Sequence, residues 1–241
     1  MFFENADQNK YSIYYHSKQS KDDTALNITS KNKPINVPEV PTEWGTISIW
    51  LLMNQLLRYS FSDMKNQRFV FISQACIPLY SFDEIYEMVM KEENSQIFYA
   101  DKAQIFPRYG ILDQYFSKSQ IVKHHQWVLF TRKHVSLLLS EKSKWEANLQ
   151  SLQEKQTKKE WFPDEAIYGT LLNHYGQQDS ITNKCVTYVD WKYQSGVVRF
   201  ELVDKDVIFE ARTQGCLFLR KIMPETQYNE NALDLVRGKK K

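Results

Sequence analysis

Two neighbouring carboxylates follow a proline in the segment Trp161-Phe162-Pro163-Asp164-Glu165. Proline suits the first position of a helix, and acids suit its first turn because they face the positive end of the helix dipole. The segment therefore predicts a helix start near Pro163. Most such segments are ordinary helix caps. A carboxylate that is held rigidly there and faces a pocket could also act as a general base.

A cation pair, Arg220-Lys221, follows the short apolar run at residues 216–219 and precedes Pro224. Two cations at the end of a strand can neutralise a diphosphate without a metal ion. An ordinary basic loop is the commoner explanation of such a pair. From the local sequence, both interpretations stay open.

Two aromatic residues, Trp191 and Tyr193, stand two positions apart at the end of a predicted strand. Alternate residues of a strand share one face, so the two rings could form a platform on which a sugar stacks. Two aromatic residues of the core would give the same pattern. This alternative also stays open.

Signatures of metal and phosphate sites are scarce in this sequence. The five histidines show no zinc-helix spacing, and there is no Cys-x-x-Cys pair. Asp204-Lys205-Asp206 could hold a divalent ion on a diphosphate, but we expect it to be a solvated turn in a polar loop. Because there is no Gly-rich phosphate loop and no nucleophile elbow, the sequence argues against classical kinases, dinucleotide oxidoreductases and α/β-hydrolases.

The composition is that of a folded domain with nearly balanced charge. The chain has 241 residues, of which 42% are hydrophobic and 14% aromatic, enough for a buried core. A net charge of +2 gives no basis for bulk binding to nucleic acid or anionic lipid, so we expect no nucleic-acid partner. Three cysteines are no disulfide framework, although one bridge could form in an oxidising compartment.

The sequence shows no recognisable targeting signal. No stretch reaches the ~18 apolar residues of a membrane span, and the first residues do not form a signal peptide. On these observations alone we expect a soluble chain without a transmembrane segment. We expect residues 226–241 to form a polar, basic tail.

The elements that must position the candidate residues alternate between strands and helices. We predict strands at residues 11–16, 68–73, 126–130 and 185–191, and helices at 45–60, 82–90, 134–139 and 165–173. We expect residues 73–78 to be a loop and residues 141–160, which are highly charged, to be exposed. This alternation predicts an α/β domain, in which ligands bind beyond the carboxyl ends of the strands.

Seven segments, in this order, resemble the core-2/I-branching enzyme family of glycosyltransferases, including its plant branch. They are residues 11–16, 43–45, 67–80, 126–127 with Arg132, 163–165 with Thr170, 187–191 and 216–221. The most specific of them is residues 69–80, Phe-Val-Phe-Ile-Ser-Gln-Ala-Cys-Ile-Pro-Leu-Tyr. The resemblance predicts one glycosyltransferase domain at residues 1–225.

The resemblance implies a GT-A-like nucleotide-sugar fold, with a single mixed and mostly parallel sheet flanked by helices. In the family, an apolar strand precedes the region that matches residues 11–16. We therefore expect the first strand to be missing and the domain to be incomplete at its N-terminus. Eukaryotic members are anchored in the Golgi membrane and work in its lumen, which leaves the location of this chain open.

The resemblance also implies an activity: inverting, metal-independent transfer of a sugar from a UDP-sugar to a hydroxyl of a glycan or glycoprotein. Both N-acetylglucosamine and xylose donors occur among relatives. No metal and no other cofactor is implied. The alternative is a non-catalytic relative of the same fold that binds carbohydrate or nucleotide without turnover.

The family's functional residues correspond to particular positions of this sequence. Its catalytic base matches Glu165. The basic residues that hold the donor diphosphate match Lys221 and, next to it, Arg220. The residues that contact the acceptor match Trp191, Tyr193 and Arg108.

Overall fold

The computed structural model describes residues 2–17, 30–100, 106–156, 161–191, 196–229, 232 and 234–235. Helices and short strands are interspersed through these ranges and form a mixed α/β domain, as the sequence predicts. Within the same ranges, no helix is both long and apolar enough to span a membrane.

The helices and strands have the following bounds. The helices are α1 Ile47–Ser62, α2 Phe82–Lys91, α3 Phe106–Tyr109, α4 Arg132–Ser140, α5 Lys142–Lys155, α6 Ile167–His174 and α7 Lys205–Thr213. The strands are β1 Tyr14–Tyr15, β2 Ile35–Asn36, β3 Arg68–Val70, β4 Cys76–Pro78, β5 Ser95–Gln96, β6 Leu129–Thr131, β7 Ile181–Thr182, β8 Thr187–Val189, β9 Phe200–Val203, β10 Phe218–Arg220 and β11 Ile222–Tyr228.

The described strands form four small sheets, which differs from the single, mostly parallel sheet that we expected. Their orders are β3-β6-β5-β7, β4-β10-β8, β9-β11 and β1-β2. Among these described strands, four pairs are parallel and three are antiparallel. One cause is local: a turn in which Cys76 N donates to Ser73 O at 3.0 Å reverses the chain after β3. Residues 76–78 then pair as β4 with another sheet instead of forming the predicted loop.

Helix α5 corrects the expectation that residues 141–160 are exposed. Trp145, Leu149 and Leu152 are buried and belong to the main core, which α1, α4 and α6 also form. These three residues recur at the spacing of one helix face. The charged residues occupy the remaining faces, so a high charge content and a buried stripe coexist in one helix.

The Asp-x-Asp triplet begins α7 and does not lie in a polar loop. Asp204 caps the helix: its side chain accepts hydrogen bonds from Asp206 N and Val207 N, both at 3.0 Å. The described residues contain no group of three or more His, Cys, Asp and Glu side chains that could hold a metal together. The three cysteines are free thiols.

The predicted boundary at residue 225 falls inside β11, which pairs in parallel with β9. Thr226 Oγ1 donates to Phe200 O at 2.6 Å, and Ala232 is buried in the core beside β9. The folded domain therefore continues beyond residue 225. Residues 236–241 of the predicted tail lie outside the described ranges.

Candidate active site

Pro163–Glu165 forms a single 3-10 turn, here called the acidic turn, and α6 begins after it. A helix does begin close to the predicted start at Pro163. Pro163 itself, however, belongs to the separate 3-10 turn, and α6 begins at Ile167. Phe162 precedes it with φ 54°, a left-handed conformation that few residues other than glycine adopt. Trp161 N and Phe162 N both donate to Gly45 O at 2.9 Å, which holds this bend in place.

The ring of Phe162 is enclosed by residues from two other parts of the chain. Trp44 meets it edge-on, with ring centroids 4.7 Å apart. The Arg108 guanidinium lies 4.6 Å from the centre of the same ring, and the Tyr109 hydroxyl donates to Phe162 O at 3.3 Å. The structure thus brings Arg108 beside the acidic turn. This proximity is necessary if Arg108 and Glu165 belong to one site.

The two carboxylates of the acidic turn have different surroundings. Asp164 is buried, and its Oδ1 has no hydrogen-bond partner among the described residues. Burial, followed by the nearby charge of Glu165, raises the pKa of Asp164 to about 7. Glu165 is 24% exposed, and its Oε2 lies 3.5 Å from Lys123 Nζ. Glu165 is therefore the carboxylate that solvent reaches and that a cation faces.

A short segment, residues 123–125, connects the acidic turn to Trp191. His124 N donates to Glu165 O at 2.7 Å. His124 is fully buried, which lowers its pKa to about 4, and its Nδ1 hydrogen-bonds to His125 O at 2.8 Å. The His125 ring packs edge-on against Phe98 at 4.8 Å and lies 6.3 Å from the Trp191 ring.

Trp191 lies just beyond the end of β8 and is 52% exposed, so a large part of its ring is open to a ligand. Its predicted partner Tyr193 lies outside the described residues. The sugar platform made by both rings therefore stays a prediction.

The backbone places the two cations near the end of β8. Strand β10 lies between β4 and β8, and Arg220 pairs in register with Val189 on one side and Cys76 on the other. Lys221 comes immediately after β10. Since β8 and β10 are parallel, the cations and Trp191 follow neighbouring strands at the same edge of the sheet.

The cations form a basic cluster with a third positive charge, Arg199. The Arg220 guanidinium lies 4.6 Å from the centre of the Trp127 ring and donates to Ser73 Oγ. Burial, followed by the charges of Arg220 and Arg199, lowers the pKa of Lys221. No ion pair between described residues includes any of these three cations. The cluster is suited to an anionic ligand.

Sequence reasoning did not identify Lys123, which faces Glu165, or His125, which lies near Trp191, as residues of the candidate site. Both lie in a stretch without hydrophobic periodicity, and their contacts are to distant parts of the chain. Trp127, in contrast, belonged to one of the seven matched segments. It now provides the surface on which Arg220 stacks.

Comparison with known proteins identifies the family of this chain. The model of the Core-2/I-Branching enzyme family matches residues 1–208, which is most of the chain. The chain belongs to this family. The resemblance that the seven segments indicated is thereby confirmed. The matched region contains the acidic turn and Trp191, whereas Arg220 and Lys221 follow it.

One curated relative is glycosyltransferase BC10 of Oryza sativa subsp. japonica. It is 26% identical to this chain over 217 residues, which cover 80% of this chain and 53% of the relative. The chain thus spans about half the length of the curated relative it matches.

Proposed function

We propose that this protein is a glycosyltransferase that moves a sugar from a UDP-sugar to a hydroxyl of a glycan or glycoprotein. The observation that carries the proposal is the acidic turn, where Glu165 is partly exposed and faces Lys123, and where Arg108 stacks on Phe162, the residue before the turn. Membership of the family and the name of the relative support the same activity. The donor sugar belongs to the N-acetylglucosamine or xylose class.

Glu165 is the general base in this proposal. It takes the proton from the acceptor hydroxyl while the hydroxyl oxygen attacks the anomeric carbon. Attack from the face opposite the leaving group inverts that carbon in one step, so one carboxylate suffices. Asp164 is buried and is not the base. Trp191, with Tyr193 and Arg108, contacts the acceptor.

Lys221 and Arg220 bind the donor diphosphate. Negative charge develops on the departing UDP, and fixed cations stabilise that charge as it forms. We propose that they take the place of the metal ion that serves as Lewis acid in other transferases. The two cations lie at the end of β10, and Trp191 follows its parallel neighbour β8. This placement at the ends of parallel strands supports a GT-A-like nucleotide-sugar site.

The first experiment replaces the proposed base. Glu165→Gln should lower the rate of transfer by roughly 100- to 10,000-fold and leave UDP affinity nearly unchanged, because the amide cannot accept the proton. Glu146→Gln is the matched control, since it also removes the carboxylate of a lysine ion pair. Transfer at the wild-type rate in Glu165→Gln would refute the assignment. Wild-type protein that binds UDP or glycan without turnover would favour the non-catalytic relative.

The second experiment measures UDP binding by calorimetry in EDTA. Lys221→Ala should weaken binding by about 10- to 100-fold, because a hydrogen bond to a charged group contributes about 1.5–3 kcal/mol. Lys205→Ala, an exposed lysine of α7, is the control and should bind as the wild type does. Binding that begins only after addition of manganese would contradict metal independence. Absence of binding under both conditions would contradict a donor site.

A further inference from the structure

The ion pair between Lys123 and Glu165 differs from the others in the described ranges. Its two side chains are 15% and 24% exposed, which makes it the most buried of these pairs. The Lys142–Glu146 pair, in contrast, lies on one turn of α5 and is more exposed. Exposed ion pairs contribute little to stability. A shielded pair that joins two distant segments can instead fix a side chain in one place.

The backbone on both sides of the pair is held by hydrogen bonds. Val122 N donates to Thr170 Oγ1 at 3.2 Å, which ties the segment to α6. His124 N donates to Glu165 O at 2.7 Å. Lys123 therefore projects from a segment that is bonded on one side to α6 and on the other side to Glu165 itself, so its ammonium group is positioned relative to that carboxylate.

We propose that Lys123 is a positioning residue for Glu165, an inference that rests on the proposed function. The ammonium group attracts Oε2 and limits rotation of the carboxylate, and Oε1 then receives the proton of the acceptor hydroxyl. A glutamate has three rotatable side-chain bonds, whereas a general base must be held to within about 0.5 Å of its working position. Lys123 restricts that freedom without contacting the substrate.

The test compares Lys123→Met, which removes the charge, with Lys123→Arg, which keeps it. Because misplacing a catalytic group by about 1 Å can cost 100-fold, Lys123→Met should lower kcat about 10- to 100-fold. The KM for the acceptor and the affinity for UDP should stay within about twofold, since substrate binding is not altered. Lys123→Arg should recover most of kcat. Lys142→Met, which breaks the helical ion pair, should have wild-type kinetics.

A structural role would give a different set of results. If Lys123 only supported the fold, Lys123→Met would lower the melting temperature and the active fraction, and kcat per folded molecule would not change. That result overturns the inference, as does a kcat within twofold of wild type. Absence of transfer in the wild type, with every UDP-sugar tried, overturns the proposed function and the positioning role with it.

A double-mutant cycle provides a readout that does not depend on activity. The urea midpoints of Lys123→Met, Glu165→Gln and the double variant should be non-additive, because each single variant removes the same ion pair. Additive midpoints would show that the pair does not form in solution and would overturn the inference even if the enzyme is active.

Discussion

Asp164→Asn should change how the stability of the protein depends on pH. Asp164 is buried beside Glu165, and burial is the main cause that raises its pKa from 3.8 to about 7. A carboxyl group with a raised pKa in the folded state binds its proton more tightly there than in the unfolded chain. Its contribution to stability is therefore complete below about pH 4 and is lost as the pH rises to about 7.

The expected size of this loss follows from the shift in pKa. Each pKa unit corresponds to 1.36 kcal/mol, so a shift of this order removes about 4 kcal/mol between pH 4 and pH 7. Asparagine has nearly the same shape as aspartic acid and stays neutral, so the variant should not show this loss. Its buried amide adds unpaired donors, which cost about 1–3 kcal/mol at every pH. The slope with pH is thus more informative than the absolute free energy of unfolding.

Urea unfolding of both proteins from pH 4 to pH 8 measures this slope. His124 and His134 titrate in the same range with the opposite sign: burial lowers the pKa of each to about 4, so their contribution is lost as the pH falls below about 6.5. Both proteins contain these histidines, and the difference between the two curves isolates Asp164. Parallel curves would show that Asp164 ionises freely in the folded state and would refute the reasoning.

Two further substitutions test the packing around the site. Trp145→Ala should lower the free energy of unfolding by about 3–5 kcal/mol because it empties a core position, whereas Gln150→Ala on the exposed side of α5 should change it by less than about 0.5 kcal/mol. Gly169→Ala should cost about 1–3 kcal/mol, because its new Cβ would lie 2.8 Å from Val122 Cγ2 and 2.9 Å from His124 Cδ2. Urea titration measures both, and a Gly169→Ala variant as stable as wild type would contradict this close packing.

Hydrophobic periodicity predicted the elements whose burial is regular. Helices α1, α2, α4 and α6 and the strands β3, β6 and β8 all lie within or near the predicted ranges. Helix α5 was missed because its many charges concealed a stripe of only three buried residues. Strand β4 was missed because its pairing with β10 joins segments far apart in the chain, and no local pattern encodes such a contact.

The site could be predicted only in part, for a related reason. Glu165 was recognisable from local helix-start chemistry and from the matched segment. The bend that leads into the acidic turn is held by Gly45, whose carbonyl group accepts two hydrogen bonds from this distant segment. Lys123 reaches Glu165 through the same kind of long-range contact. Tertiary packing, rather than local propensity, therefore determines the surroundings of the carboxylate.

The two halves of the proposed site are held by different physical means. Register between the parallel strands β8 and β10 fixes where the cations and Trp191 leave the sheet, so backbone hydrogen bonds determine the position of the proposed diphosphate site and of the neighbouring Trp191. The base depends on a tight turn, one ion pair and aromatic packing around Phe162. Substitutions in the acidic turn should consequently alter the rate of transfer without altering UDP affinity. Residues 123–127 link the two halves, with Lys123 beside the base and Trp127 beside Arg220. Because these two contacts lie at opposite ends of the segment, we expect a substitution of Lys123 to affect the proposed base without altering UDP affinity.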